Sequence, residues 1–485
     1  MRRREFLVGA ARATAAAVLS PALRGWGQVA GVIPASLSVK PHNQVSVIPA
    51  DFTGLSYESA QLAYPPFFSA DNTALVAYCR TLGKQGVLRI GGNTSEFTRW
   101  TEHETAAPVP VAAGADTSAT EKRPVTPITP ASIRDLAGFL DATGWKLIYG
   151  INLGHNTAQQ AAIEAKFVHE TMGPRLIALQ IGNEPDRYGK QGFRPSTWNF
   201  DAYLAQWLQF ARAIRRHVHG VRFGAPDIAS NISWVVDFAE KARKEAIFLT
   251  YHHYAEGPPS DPTMNIDRLL HPNEKFESEV AQMQQASRSS GLPVRLVETN
   301  SCYNGGKEGV SDTFASALWG GDYMFHIAQA GQTGVYLHGG GHSFYTPIAG
   351  SLEGGFTARP VYYGMLLFDQ ALGSVLVESV LDAGGANATA YAVRFADNDL
   401  GVAIFNKDAS KALRLNINPG IPVHSAEVLR LAGPSLDSKT GVTFGGSEVS
   451  SSGGWSPSQT ETPDHTDSAV TLDLPAASAA WLRIA

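Results

Sequence analysis

The sequence predicts an α/β chain, a (β/α)8 TIM barrel with an appended antiparallel β-sandwich domain. Three observations carry the prediction. From about residue 52, apolar runs of strand length alternate with segments of helical period, and eight such runs can be counted by residue 337. Past about residue 373 the helical period gives way to short alternating runs separated by turn-rich segments, the pattern of an antiparallel sandwich. Polar residues also stand repeatedly at the ends of the apolar runs, which favours a closed parallel barrel over an open doubly wound sheet.

At the N-terminus, Arg2-Arg3-Arg4-Glu5-Phe6-Leu7 precedes a mildly apolar, Ala-rich run to about Leu23. Arginines followed by an apolar segment have the layout of a twin-arginine-type signal peptide, so residues 1–30 are expected to direct export to the periplasm or beyond. Cleavage after Ala22 and cleavage after Ala30 both fit. No later stretch reaches the ~18 uninterrupted apolar residues of a membrane span. Residues 36–39 and 44–48 alternate polar and apolar side chains, and the segment 36–49 is expected to supply strands to the sandwich.

The barrel is expected over residues 50–373. Its first strand reads at 52–58, followed by a helix over 72–82 capped by Asp71 or Asn72, and a second strand at 87–90 ending in Gly91-Gly92-Asn93-Thr94. Residues 106–130 are rich in Ala, Pro, Thr and Val with little periodicity, which reads as a long surface loop on the active-site face. The alternation then becomes regular. Helices are predicted at 131–143, 158–170, 200–217, 234–244, 275–289 and 313–330, with strands at 146–153, 176–181, 221–225, 247–251, 293–297 and 334–337. Residues 374–485 complete the sandwich, with a Ser-, Gly- and Pro-rich loop at 445–467.

A chain of 485 residues exceeds one hydrophobic core, which fits one large and one smaller domain. The net charge of −5 offers no global attraction for nucleic acid or an anionic membrane surface and disfavours a long polyanionic substrate. Two cysteines, Cys79 and Cys302, cannot form a disulfide framework. Oligomeric state is not legible.

Two stretches carry the chemistry. Leu176-Ile-Ala-Leu-Gln-Ile181 is an apolar strand that ends in Gly182, Asn183, Glu184, Pro185 and Asp186, and Pro293-Val-Arg-Leu-Val297 runs into Glu298, Thr299 and Asn300. Two strand-end glutamates are what glycoside hydrolysis requires, one as acid and base, the other as nucleophile or base. Tyr303, the backbone amides of Asn304, Gly305 and Gly306, and Lys307 form a compact set of donors, and consecutive N–H groups in a Gly-rich turn can hold an anion such as a uronate carboxylate. Glu58, Asn93, Asp227 and His338 occupy further strand-end positions facing the same mouth.

Gly182-Asn183-Glu184-Pro185, Glu298-Thr299-Asn300-Ser301, Tyr303-Asn304-Gly305-Gly306 and Thr250-Tyr-His-His-Tyr254 together resemble heparanase and its bacterial β-glucuronidase relatives, retaining glycosidases on a (β/α)8 barrel. The resemblance implies that Glu184 is the acid/base and Glu298 the nucleophile, that Asn183 contacts the sugar 2-hydroxyl, that Tyr254 lies beside the nucleophile, and that Tyr345 reaches the uronate carboxylate. The acid should then have a raised pKa and the nucleophile should be kept ionised by donors. It implies a glucuronic-acid-containing substrate, with no cofactor and no metal. Nothing in 106–130 marks that loop for the excision known in heparanase, and the loops lack a Lys/Arg cluster. Removal of a terminal β-glucuronate is therefore favoured over endo-cleavage of heparanase type.

Other chemistries fit less well. His338-Gly-Gly-Gly341 resembles an esterase oxyanion loop, but no Gly-x-Ser-x-Gly elbow accompanies it. His252, His253, His338 and His342 do not share one helix face as zinc ligands would. Cys302 lacks a recognisable His-Asn partner pair for thiolate chemistry. A non-catalytic carbohydrate-binding protein would be signalled by loss of either glutamate, and both are present.

Overall fold

The computed structural model describes residues 30–64, 66–103 and 125–485. The expected signal peptide, up to residue 29, and residues 104–124 of the expected surface loop lie outside the described residues.

The first strand, β1 (Ala30–Val47), is a single element, with register irregularities between Lys40 and Gln44 and between Gln44 and Ser46. The sequence showed two alternating runs here because Pro41 and its neighbours interrupt the period within one strand. Eight parallel strands then close a barrel in chain order. They are β2 (Thr53–Glu58), β3 (Val87–Gly91), β4 (Lys146–Ile151), β5 (Leu176–Ile181), β6 (Phe223–Ile228), β7 (Phe248–Glu256), β8 (Val294–Cys302) and β9 (Val335–Gly339). A principal helix follows each strand: α1 (Thr73–Thr81), α2 (Pro130–Thr143), α3 (Ala158–Met172), α4 (Phe200–His217), α5 (Ser233–Lys241), α6 (Glu274–Ser290), α7 (Phe314–Gln329) and α8 (Pro360–Asp369).

Local chemistry explains these helix starts. Asn72 caps α1 by accepting from Leu75 N–H at 3.3 Å, and Asn273 caps α6 by accepting from Lys275 and Phe276. Thr129 and Ser132 form a reciprocal capping box before α2, whose first residue is Pro130. That cap starts α2 where the surface loop was expected to end, and Thr126–Ile128 pairs parallel with Thr98–Trp100.

The C-terminal region adds β10 (Val375–Asp382), β11 (Ala388–Arg394), β12 (Leu400–Asn406), β13 (Lys411–Asn418), β14 (Ala426–Ala432), β15 (Ala469–Leu474) and β16 (Ser478–Ile484). The sheet order is β14-β16-β12-β11-β10-β1-β13-β15, with a short strand at each edge. β1 pairs antiparallel with β10 and parallel with β13. One buried cluster draws on both halves of this sheet, from Leu37 and Leu415 to Val402 and Leu482, so the sheet curls over a shared core as a sandwich. The sandwich docks on α7: Phe325 stacks on Tyr391 with centroids 5.1 Å apart, and Ser46 donates to the Ala328 carbonyl at 2.7 Å.

Candidate active site

Glu184 lies just beyond β5, in the left-handed region at φ 51°, and its N–H donates to the Asp227 carbonyl at 2.9 Å. A non-glycine residue held there costs on the order of 1–3 kcal/mol, which the surrounding contacts must offset. Glu298 lies inside β8, at the same carboxyl-terminal mouth of the barrel. Both side chains are buried. One oxygen of each carboxylate and a nitrogen of His252 lie within 4.8 Å of one another. That spacing suits the ~5–5.5 Å carboxyl separation of a retaining glycosidase better than the ~6.5–9.5 Å that an inverting enzyme needs to admit a water.

The two carboxyls are tuned in opposite directions. Burial raises the pKa of Glu184, the nearby Glu298 charge adds to this, and His252 at 3.2 Å only partly offsets it. Burial pushes Glu298 upward too, but it is outweighed by His338, His252 and Arg89 and by the Tyr254 hydroxyl, which leave Glu298 well below the ordinary carboxylate range. Tyr254 donates to Glu298 Oε1 at 2.9 Å, and Arg89 Nη1 donates to Oε2 at 2.5 Å. One carboxyl held toward its acid form beside another held toward its anion is the division of labour that glycosyl transfer to a carboxylate requires.

Arg89, on β3 and 1% exposed, organises the floor. Nη2 donates to Asp227 Oδ2 and to Asn183 Oδ1, each at 2.8 Å, and Nη1 donates to Ser56 at 3.1 Å. A Cβ on Gly91 would lie 2.5 Å from the guanidinium carbon, so only glycine leaves room for this side chain. His252 stands 2.9 Å from Asp227 and 3.2 Å from Glu184. Burial opposes its charge, yet Asp227 and Glu298 raise its pKa to about 10, so the imidazolium persists at neutral pH. Among the described residues, Glu184, His252 and Glu298 also place ligand atoms close enough to hold a metal. With the Arg89 guanidinium and a charged His252 already neutralising these carboxylates, the field there opposes a further cation.

Of the remaining candidates, Asn183 accepts from Arg89 and its amide approaches Asn93 Oδ1 at 3.5 Å. Glu58 accepts from the Thr94 N–H at 2.8 Å and the Thr94 hydroxyl at 2.6 Å, and lies 3.6 Å from His338, so its carboxylate braces the rim. His338 Nδ1 meets Ser56 Oγ at 2.9 Å and lies 3.8 Å from Glu298. Tyr254 is the hub of an aromatic wall, with Tyr345 at 6.2 Å and Tyr303 at 6.4 Å between ring centroids. Asn304, Gly305 and Gly306 all have positive φ, at 57°, 87° and 85°. A Cβ on Gly306 would come within 2.7 Å of the Tyr345 amide nitrogen, so this turn can press against the Tyr345 loop only as glycine. Lys307 was read as a further donor to the pocket. Its ammonium instead donates to the Asp261 carbonyl at 2.6 Å, since that acceptor lies within its reach.

Sequence reasoning missed three contributors. Arg89 and His252 were not assigned to the floor of this site, although a charged residue in the middle of an apolar strand was a signal for Arg89. Glu96, 1% exposed, was also overlooked. Its carboxylate accepts from the backbone N–H of Asn183 at 2.6 Å, of Leu153 at 2.9 Å and of Gly154 at 2.5 Å, tying the loops after β4 and β5 together next to Glu184. The buried thiols Cys79 and Cys302 stay free.

Residues 390–481 match the glycosyl hydrolase family 79 C-terminal beta domain. The chain is 28% identical over 324 residues to a β-glucuronidase of Aspergillus niger, covering 61% of this chain and 57% of that protein. It is 28% identical over 319 residues to a β-glucuronidase of Neurospora crassa, covering 58% and 55%. The matches thus span a little over half the length of these curated relatives. Among solved structures, a 4-O-α-L-rhamnosyl-β-D-glucuronidase from Fusarium oxysporum 12S superposes with a TM-score of 0.76 at 20% identity, covering 93% of this chain and 100% of that one. The fold expected from sequence, barrel plus sandwich, is the fold observed, and the resemblance to the heparanase and β-glucuronidase family is borne out.

Proposed function

We propose that this relative of the family 79 β-glucuronidases is a retaining exo-β-D-glucuronidase that removes terminal β-glucuronic acid from glycans or glucuronides. The observation that carries the reading is the pair of buried carboxyls, close enough for double displacement, with Glu184 held toward its acid form and Glu298 toward its anion.

In the first step Glu298 attacks the anomeric carbon while Glu184 gives its proton to the glycosidic oxygen. The C–O bond to the aglycone breaks, and a glycosyl ester forms on Glu298. Once Glu298 is esterified its charge is gone, so the repulsion that raised the pKa of Glu184 falls and Glu184 becomes a competent base. It then takes a proton from water, whose oxygen attacks the anomeric carbon and frees Glu298. Arg89 and Tyr254 hold the nucleophile in place, and the Asp227–His252 pair steadies Glu184.

Tyr303, the turn amides of Asn304 to Gly306 and Tyr345 would receive the C6 carboxylate, and Asn183 the 2-hydroxyl. Three consecutive residues at positive φ favour an anion-binding concavity at this turn. Export rests on Arg2-Arg3 and the apolar run behind them. No helix among the described residues is long and apolar enough to cross a membrane. NMR of the first-formed product tests the mechanism: the β-anomer is expected from a β-glucuronide, and the α-anomer would show inversion and a wrong role for Glu298.

A further inference from the structure

Glu184 presents its two carboxyl oxygens to different neighbours. The charged His252 ring has two N–H donors, and they meet Asp227 Oδ1 at 2.9 Å and Glu184 Oε1 at 3.2 Å. The donor on Oε1 also lies 3.9 Å from Glu298, so Oε1 is occupied on the inner side of the site. Oε2 is the oxygen left to carry a proton to a glycosidic oxygen. Arg187 stands beside it, with Nη1 3.9 Å away. Because the glycosidic oxygen divides sugar from leaving group, a cation next to Oε2 faces the leaving group.

The backbone that carries Arg187 is tied down, and its side chain is not. Arg187 N–H donates to the Glu184 carbonyl and Trp198 Nε1 to the Pro185 carbonyl, each at 2.9 Å. The Asp186 carboxylate between them accepts from the N–H groups of Ala229, Ser230 and Asn231. The Arg187 side chain is 52% exposed and makes no hydrogen bond among the described residues, where Glu184 is its one ion-pair partner. That long, half-exposed pair is weak, and its sign is wrong for an acid. Burial holds Glu184 toward its acid form, and the Arg187 charge works against it. Partial burial raises the pKa of the Tyr303 hydroxyl and the same cation opposes that too, which places Arg187 on the Tyr303 side of the mouth. A cation that opposes the acid in the empty site is relieved of that role once a bound anion takes up its charge. One guanidinium matches one carboxylate-like group rather than a polyanion. With Oε2 at hydrogen-bond distance from the glycosidic oxygen, Arg187 reaches within about 7 Å of that oxygen. The para carboxylate of a phenyl aglycone extends about that far.

We propose that Arg187 is a specificity-determining residue of the leaving-group side, selecting aglycones that carry a single anionic group close to the glycosidic bond; the inference rests on the glucuronidase reading above. The test compares kcat/KM for 4-carboxyphenyl β-glucuronide and its neutral 4-carbamoylphenyl analogue in the full-length protein. The acid-to-amide ratio cancels both the folded fraction of a variant and any effect on Glu184 shared by the two substrates. Arg187→Gln should lower that ratio about 5-fold, the scale of a half-exposed ion pair, and added salt should lower it in the wild type. Arg187→Lys, which keeps the charge, should lower it less than Arg187→Gln. A ratio unchanged in Arg187→Gln, a wild-type ratio insensitive to salt, or equal losses in the Lys and Gln variants would each overturn the assignment. Wild-type turnover of p-nitrophenyl β-glucuronide separates the two levels: its absence would refute the glucuronidase reading itself and this inference with it, whereas its presence with an unchanged ratio would sink the Arg187 assignment alone.

Discussion

Replacing Arg89 by Met keeps most of the side chain's length and removes the guanidinium shared by Glu298 and Asp227. Each lost charge-assisted hydrogen bond is worth about 1.5–3 kcal/mol, and breaking a buried ion pair costs about 3–5 kcal/mol overall. Glu298 retains His338, His252 and Tyr254, so it remains depressed, but less so. If the bond to Glu298 is lost from the ionised form alone, its pKa rises by about 1–2 units, at ~1.36 kcal/mol per unit. Because protonation of the nucleophile abolishes turnover, the acid limb of kcat/KM against pH should move up by that amount with p-nitrophenyl β-glucuronide as substrate. Stability follows the same sign. Glu298 and Asp227 both have lowered pKa values in the fold, so their contribution is present above the unfolded values of roughly 4 and is lost as pH falls through the folded ones. The Tm deficit of Arg89→Met should therefore be largest near neutral pH and shrink below pH ~4. An acid limb that stays in place while Tm falls would refute the electrostatic role and leave Arg89 a packing brace.

Specificity should follow the C6 group. β-Glucuronides are expected to exceed β-glucosides by at least ~100-fold in kcat/KM, on the order of 3 kcal/mol, and Tyr303→Phe and Tyr345→Phe should narrow that gap by slowing the glucuronide; equal slowing of both sugars would show that these hydroxyls do not read the carboxylate. Glu96→Gln replaces one acceptor oxygen of the Asn183, Leu153 and Gly154 pin with an amide donor. If the pin positions Glu184, the loss in kcat/KM should be at least ~10-fold greater for an alkyl glucuronide, which needs acid assistance, than for a dinitrophenyl glucuronide, which does not; a uniform loss across leaving groups would mark a structural role. His252→Gln removes a cation that lowers the pKa of both Glu184 and Glu298, so under the proposed mechanism acid and base limbs should both shift to higher pH, as read from the bell-shaped profile.

Most of the fold was legible locally. Eight apolar runs of strand length, the helix caps at Asn72, Thr129 and Asn273, and the loss of helical period after residue 373 are properties of neighbouring residues, and barrel closure in chain order follows from them. Glu184 and Glu298 were legible for the same reason, since an apolar strand ending in a carboxylate is visible within ten residues. The pin at Glu96, the imidazolium at His252 and the floor at Arg89 were not. Arg89 meets partners 91, 138 and 209 residues away, and the sequence shows an arginine in an apolar strand without showing what neutralises it. By itself the sequence determined which groups stand at the strand ends. Closure of the barrel decided their charge states, because burial and the cations from β3, β7 and β9 reach Glu184 and Glu298 only through space.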